Sequence, residues 1–281
     1  MSLPALRPPA RPRLHPGSWL TTVAGVAILA AMLFPVYWMV NVSLQPAAAA
    51  VDTPWFPAQI DLAGYVQAIH DQGRNLATSV LVALGSVVLS LLVATPAAYA
   101  LARLRVRGAG AVLFAILISQ MVPGIVVANA LFSVYTNLGL LNSIPGLILA
   151  DASLGIPFAI LIMRAFMLAI PSSIIEAARV DGAGQLRTFV AIVVPMSRNA
   201  IITAGLFAFL FAWGDFLFAL TLTTTETVRP VTLGLYQYLG GYVNNWSPVM
   251  ATAVLASLPA IVLLVVAQRF VAAGVASGAV K

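Results

Sequence analysis

Reactive side chains are scarce in this chain, so the few that cluster stand out. The densest cluster is Glu176-Ala177-Ala178-Arg179-Val180-Asp181-Gly182, followed by Arg187, Ile192 and Pro195. It occupies a polar gap between two long apolar runs. Carboxylates and guanidiniums around a pair of alanines can make charge-assisted contacts to a second surface. Alanine favours a helix and leaves room for a partner to approach closely. A smaller group, Trp213-Gly214-Asp215-Phe216, sits inside an apolar run. Its carboxylate can accept hydrogen bonds from hydroxyls, and its aromatic rings can stack on a sugar or pack in a core.

Other chemistries are excluded by what is missing. The sequence has no cysteine, hence no disulfide framework, thiol nucleophile or cysteine-bound metal. Its two histidines, His15 and His70, lie in separate polar gaps, so no histidine pair is available for a metal and no metal site is expected. The only lysine is Lys281, which rules out the Gly-Lys-Ser/Thr of a phosphate-binding loop. No nucleophile–base pair stands out for a membrane hydrolase. Any ATP and magnesium used must therefore be held by another chain, and this one is expected to bind no cofactor and to be no enzyme.

The elements that position these residues follow from hydropathy. The chain is 61% hydrophobic and 8% charged, whereas a soluble domain is about 25% charged. Apolar runs near the ~20 residues needed to cross hydrocarbon occur at Trp19–Val42, Leu76–Leu101, Ala109–Thr136, Ile144–Ile170, Ala200–Leu222 and Pro248–Gln268. Backbone in lipid must pair internally, which favours helices. The alternating segments of a barrel are absent. The fold expected is therefore an all-α integral membrane protein of six transmembrane helices. Residues 1–18 form a Pro/Arg-rich tail and 19–75 the first span with an outer segment. Residues 76–272 form a core that includes the loop 171–198, and 273–281 a C-terminal tail.

Orientation follows from arginine. Arg7, Arg11, Arg13, Arg103, Arg105, Arg107, Arg179, Arg187, Arg198, Arg269 and Lys281 fall on one side if the spans alternate, with Arg164 near the same boundary. The other side has Arg74 and Arg229. The positive-inside rule places both termini and the 171–198 loop in the cytoplasm. The net charge of +6 is thus topology and lipid-headgroup contact, not a nucleic-acid footprint. The first apolar run, although followed by Ala47–Ala50, exceeds the ~7–15 residues of a signal-peptide core, so an uncleaved span is expected. Pro35 should kink it. The segment 43–75 is expected to hold short interfacial helices around Pro54-Trp55-Phe56-Pro57.

Locally, Ser173-Ile174-Ile175-Glu176 has the form of a capping box, and Gly182 and Gly184 allow the backbone to turn after the helix. Prolines and glycines at Pro96, Pro123, Gly124, Pro145, Gly155 and Pro157 suggest close packing and local breaks. Asp215 must face protein or water. Either it lines a path for a solute or it hydrogen-bonds between helices. Arg164 can snorkel to the headgroups.

The segment Glu176-Ala177-Ala178, three residues, Gly182, nine residues, Ile192-Val193-Val194-Pro195 resembles the "EAA" loop of permease subunits of binding-protein-dependent ABC importers, with Val194 in place of leucine. Asp181-Gly182-Ala183, Phe189, Trp213-Gly214-Asp215-Phe216, Thr232-Leu233-Gly234-Leu235 and Trp246–Ala251 are similar to the carbohydrate, maltose-permease-like branch. So is the close of the chain, Gln268-Arg269, Gly274 and Gly278–Lys281. Gly214 stands where that branch often has asparagine. The similarity covers roughly 75–281.

The resemblance implies a type I importer permease in a bacterial inner membrane, energised by a separate ATPase. It implies partners: a second homologous permease chain, two ABC ATPase subunits or domains, an extracytoplasmic solute-binding protein and membrane lipid. Glu176, Ala177, Ala178, Arg179, Asp181, Gly182 and Pro195 would form the coupling surface. Trp213, Asp215 and Phe216 would border the solute pathway at the interface between the two permeases. A sugar or polyol derivative is the expected solute. A polyol phosphate, a peptide or another small solute in the same machinery remains open, as does a secondary transporter. No internal repeat supports the last.

Overall fold

In lipid a helix must end where its last carbonyl groups can find donors, and the ends are where this chain departs from a simple hydropathy reading. The computed structural model describes residues 18–46, 52–57, 59–239 and 243–279. The expected N-terminal tail with Arg7, Arg11, Arg13 and His15, the Ala47–Ala50 run, and Val280 and Lys281 lie outside the described residues.

The elements are α1 (Ser18–Ser43), α2 (Ala63–Arg103), α3 (Ala109–Ser119), α4 (Gly124–Leu138), α5 (Ile144–Ala169), α6 (Ser172–Val180), α7 (Gln185–Thr188), a π-helical turn (Phe189–Val193), α8 (Val194–Met196), α9 (Arg198–Gly214), α10 (Leu217–Leu222), α11 (Val231–Leu239) and α12 (Ser247–Ala279). No strand occurs among the described residues, as the all-α expectation requires. Four unbroken helices, α1, α2, α5 and α12, are long and apolar enough to cross a membrane, and two bent pairs bring the number to six.

Three expectations need correction. The third span is not one helix: α3 and α4 meet at 96°, because Pro123 adopts an extended ψ of 132° and cannot continue a helix begun before it. The fifth is not continuous either. Within the expected Ala200–Leu222 run a break at Asp215–Phe216 separates α9 from α10, and ahead of that run a bend of 75° at Ser197 separates the 185–196 segment from α9. The second span begins at Ala63 instead of Leu76, so the outer gap is shorter than expected. No interfacial helix forms within its described part before Ala63. Instead this strap is tied to α1: Asn41 and Gln45 side-chain amides each donate to the Pro54 carbonyl at 2.9 Å, and Tyr37 donates to that of Trp55. Trp55 packs edge-on to Trp38 at 5.5 Å, in the manner of an interfacial aromatic belt.

The core is the packing of α2, α5 and α9, with α12 laid against α2 and α9. Small residues make this possible. Ala94, Ala98, Ala159, Ala200 and Ala204 surround Met163 and Met167, all buried. A Cβ added to Gly155 would come within 2.9 Å of Ser90 Oγ. Close backbone approach of this kind is how membrane helices gain dispersion contact when lipid removes the hydrophobic drive.

At one end α2 and α5 finish side by side and cap each other. Arg103, the last residue of α2, donates from Nε and Nη2 to the Met167 carbonyl (2.9 and 2.6 Å), and from Nη2 to Leu168 (3.2 Å) and Ile170. Arg164 of α5 returns one bond, Nε to the Leu101 carbonyl at 3.3 Å. These are orphan carbonyls at the negative ends of helix dipoles, where a cation is favoured. Arg164 is thus engaged with protein backbone as well as lying near the boundary. Hydrogen bonds to charged groups contribute about 1.5–3 kcal/mol. Arg103→Ala should therefore lower the thermal midpoint of the detergent-purified protein more than Arg164→Ala does. A midpoint unchanged in Arg103→Ala would discard the clamp.

Candidate functional site

The 171–198 segment hangs from that capped end. Ile170 and Pro171 stop α5: both have extended ψ, 127° and 132°. Helix α6 then buries Ile175 and Ala178, one turn apart, against the core. Ile175 joins the cluster of Met167, Ile170, Tyr99, Val193 and Ala200. Glu176, Ala177, Arg179, Val180 and Asp181 are exposed. The two alanines therefore divide: Ala177 is open to a partner, and Ala178 faces its own chain.

The capping box at Ser173 does not form. Helix α6 starts at Ser172 with Pro171 at its cap and no side-chain cap bond, and the Pro171 carbonyl accepts from the Ile174 N–H at 3.2 Å. Ser173 is already inside the first turn, whereas a capping serine needs a non-helical backbone. Glu176 is left free to point outward.

The helix ends in a Schellman arrangement. Ala183 N–H donates to the Ala178 carbonyl at 2.9 Å and Gly182 N–H to that of Arg179 at 3.0 Å. Gly182 has φ +79°, a left-handed conformation that only glycine adopts without strain. Gly184, by contrast, has an ordinary φ of −66°. Beyond it, Val194 N–H donates to the Phe189 carbonyl, widening one turn into a π-helix just before Pro195. Proline offers no N–H and crowds the preceding turn, and the wider turn accommodates it. Pro195 itself is exposed. Val180 and Leu186 are 87% and 75% exposed, giving this polar segment two apolar contact points.

The second group lies far from the first, at the break between α9 and α10. Trp213 is buried, stacked on Phe209 at 5.4 Å, and its indole N–H donates to the Ala256 carbonyl of α12 at 3.0 Å. It is a core residue. Asp215 is half-buried, and its carboxylate accepts from the backbone N–H groups of Phe218 (3.2 Å) and Ala219 (3.0 Å) in the first turn of α10. Its own carbonyl accepts from Thr232 Oγ1 at 2.6 Å, fixing α11 to the break. This is a role within one chain that neither sequence reading of Asp215 named. The Asp-x-x-Phe-Ala order, with an acid before a short helix, is its signal. Phe216 is half-buried and packs on Tyr236 at 5.2 Å.

Two further features lie on α5 and α9. Asp151 of α5 is 5% exposed. Phe158 of α5 meets Phe207 and Phe211 of α9 at 5.0 and 5.4 Å. Phe207 and Phe211, four residues apart, share one face of α9, and Asp215 follows just past the end of that helix. Phe211 is 43% exposed, so this chain leaves that face partly uncovered.

Residues 86–277 match the family described as "Binding-protein-dependent transport system inner membrane component". The chain is 34% identical to the sulfoquinovosyl glycerol transport system permease protein SmoH of Agrobacterium fabrum, covering 94% of both chains. It is 31% identical to the trehalose transport system permease protein SugB of Mycobacterium tuberculosis, covering 93% of this chain and 95% of that one. It is 27% identical to the trehalose/maltose transport system permease protein MalG of Thermococcus litoralis, covering 93% and 96%. In fold it is similar to a chain from a bacterial ABC transporter involved in the import of the acidic polysaccharide alginate, with TM-score 0.76, 24% identity, and coverage of 92% of this chain and 99% of that one. With its span pattern and near full-length matches in agreement, the chain belongs to the binding-protein-dependent transport system inner membrane components, the multi-pass permeases of ABC importers.

Proposed function

We propose that this chain is one of two permeases through which an ATP-driven importer passes a mono- or oligosaccharide or a polyol derivative. The carrying observation is α6: a short helix anchored to the transport core by Ile175 and closed by Gly182, with Glu176, Ala177 and Val180 turned outward. A helix so fastened passes a push at its outer face to the core as a rigid body. The ATP and magnesium belong to a pair of ATPase subunits docking on that face, and this chain supplies no catalytic group. The sugar assignment is supported by the transport names of the relatives SmoH, SugB and MalG.

The second permease, a homologous chain, would cover two surfaces. One is α1, whose most apolar stretch has no buried residue and whose main contact is α12. The other is the α9 face of Phe207 and Phe211, with Asp215 just past the end of that helix. Between two such faces the aromatic rings and the break at Asp215 would border the solute path. An extracytoplasmic binding protein would deliver solute to the opposite end from α6, and both termini would be cytoplasmic.

Three experiments test these assignments in the reconstituted importer. Gly182→Val forces a β-branched residue to positive φ, which costs about 1–3 kcal/mol. Solute-stimulated ATP hydrolysis and uptake should fall together while the protein still inserts. Normal uptake in Gly182→Val and in Glu176→Lys would refute the coupling role. For topology, the absence of cysteine allows direct single-cysteine labelling. Asp52→Cys and Arg105→Cys are both at exposed positions. An impermeant maleimide added outside intact cells should label the first and not the second, and the reverse pattern would invert the orientation. For the pathway, Asp215→Asn keeps the shape of the side chain and removes its charge. Impaired uptake with assembly and basal ATPase activity retained supports a pathway role. Poor assembly instead would leave Asp215 as the cap of α10 alone.

A further inference from the structure

Three guanidiniums line one cavity of about 510 Å³ beside the coupling helix: Arg103 at the end of α2, Arg105 in the turn that follows, and Arg179 on α6, joined by Leu104 and Gln185. Arg103 is accounted for by the carbonyl groups of α5. Arg105 and Arg179 are exposed and enter no ion pair among the described residues. The described pairs, His70–Asp71 and Glu226–Arg229, lie at the other end of the bundle. Glu176 and Asp181, although neighbours of Arg179 in sequence, do not pair with it. No carboxylate lines the cavity.

Like charges gathered without an acid repel one another, more strongly where low-dielectric walls limit screening. An anion removes that cost. The guanidinium fork matches phosphate oxygens two at a time, and glutamine adds an amide donor. The level of the cavity decides the source of the phosphate. It opens where α2 and α5 both finish, at the boundary between apolar spans and polar loop, and Leu104 gives it an apolar lip. Headgroups lie at that depth, and basic pockets on the cytoplasmic side of membrane helices suit acidic lipids.

We propose that this cavity holds the phosphate of an acidic inner-leaflet phospholipid. The headgroup bridges the α2–α3 turn to α6 and so ties the coupling helix to the bilayer. The proposal rests on the cytoplasmic placement of α6 but not on the identity of the solute.

The test is native mass spectrometry of the importer purified with its partner subunits, with phosphatidylglycerol or phosphatidylcholine added. The wild type should retain phosphatidylglycerol in preference to phosphatidylcholine. Arg105→Gln combined with Arg179→Gln should weaken phosphatidylglycerol retention by at least about tenfold, the effect of losing one charged hydrogen bond, with phosphatidylcholine unchanged. Arg105→Gln alone changes an exposed side chain with no described hydrogen bond, so it should fold normally and show an intermediate loss. Equal retention by wild type and double variant overturns the proposal. Binding of inorganic phosphate at millimolar concentration, with no preference for phosphatidylglycerol over phosphatidylcholine, assigns the cavity to free phosphate and overturns the lipid source. Unchanged lipid retention with weaker ATPase association in Arg105→Gln assigns it to a carboxylate of the ATPase, which also overturns it. The lipid assay reads the cavity in either orientation, whereas labelling at Arg105 reads orientation alone, so the two failures are distinguishable.

Discussion

The carbonyl groups left unpaired where α2 and α5 stop are the constraint on which the rest of this structure depends. The last carbonyls of a helix have no partner within it, and where two long helices finish side by side and partly bury those groups, the chain itself supplies the donors. Arg103 serves two carbonyls of α5 and that of Ile170 just after it, and Arg164 serves one of α2. The exchange holds both ends at one level. From there Pro171 releases the chain into α6, and Ile175 returns to the same buried cluster. Without a fixed platform, an outward-facing helix would swing freely and could not transmit a displacement.

Other breaks obey the same rule. At Gly182 the last carbonyls of α6 are met by N–H groups of the following turn, made possible by a left-handed residue. At Asp215 the orphan N–H groups of α10 are met by a carboxylate. Before Pro195, which has no N–H, the turn widens so that the N–H of Val194 pairs with the carbonyl of Phe189. The features given functional roles thus coincide with interruptions in regular helix. An uninterrupted helix in lipid is self-sufficient, whereas an interruption must recruit specific side chains and can be moved.

Between the breaks the packing is generic: alanine, glycine and serine let α2, α5 and α9 approach. What this packing leaves open is as informative as what it closes. Helix α1 and the face of Phe207 and Phe211 remain uncovered by the chain itself. In a bilayer such surfaces meet either lipid or another protein, and the aromatic face, next to a carboxylate, is ill-suited to lipid.

Much was legible in the sequence, because it depended on composition or on neighbours along the chain. Apolar run lengths located the membrane helices, the EAA pattern marked the polar segment between two of them, and a glycine after a short helix allowed for the turn that Gly182 makes at positive φ. Hydropathy, however, measures only affinity for lipid and carries no direction, so the 96° turn at Pro123 and the break at Asp215 read as continuous spans. Ser173 looked like a cap because the pattern ignores where Pro171 sets the helix start. The partner of Arg103 lies on α5, and Thr232 reaches Asp215 only after α11 folds back. Trp213 could have faced a solute until α12 supplied the carbonyl for its indole. Local motifs are decided by backbone torsions within a few residues. Which donor satisfies which orphan group is decided by contacts distant in sequence, and those exist only once the helices have packed.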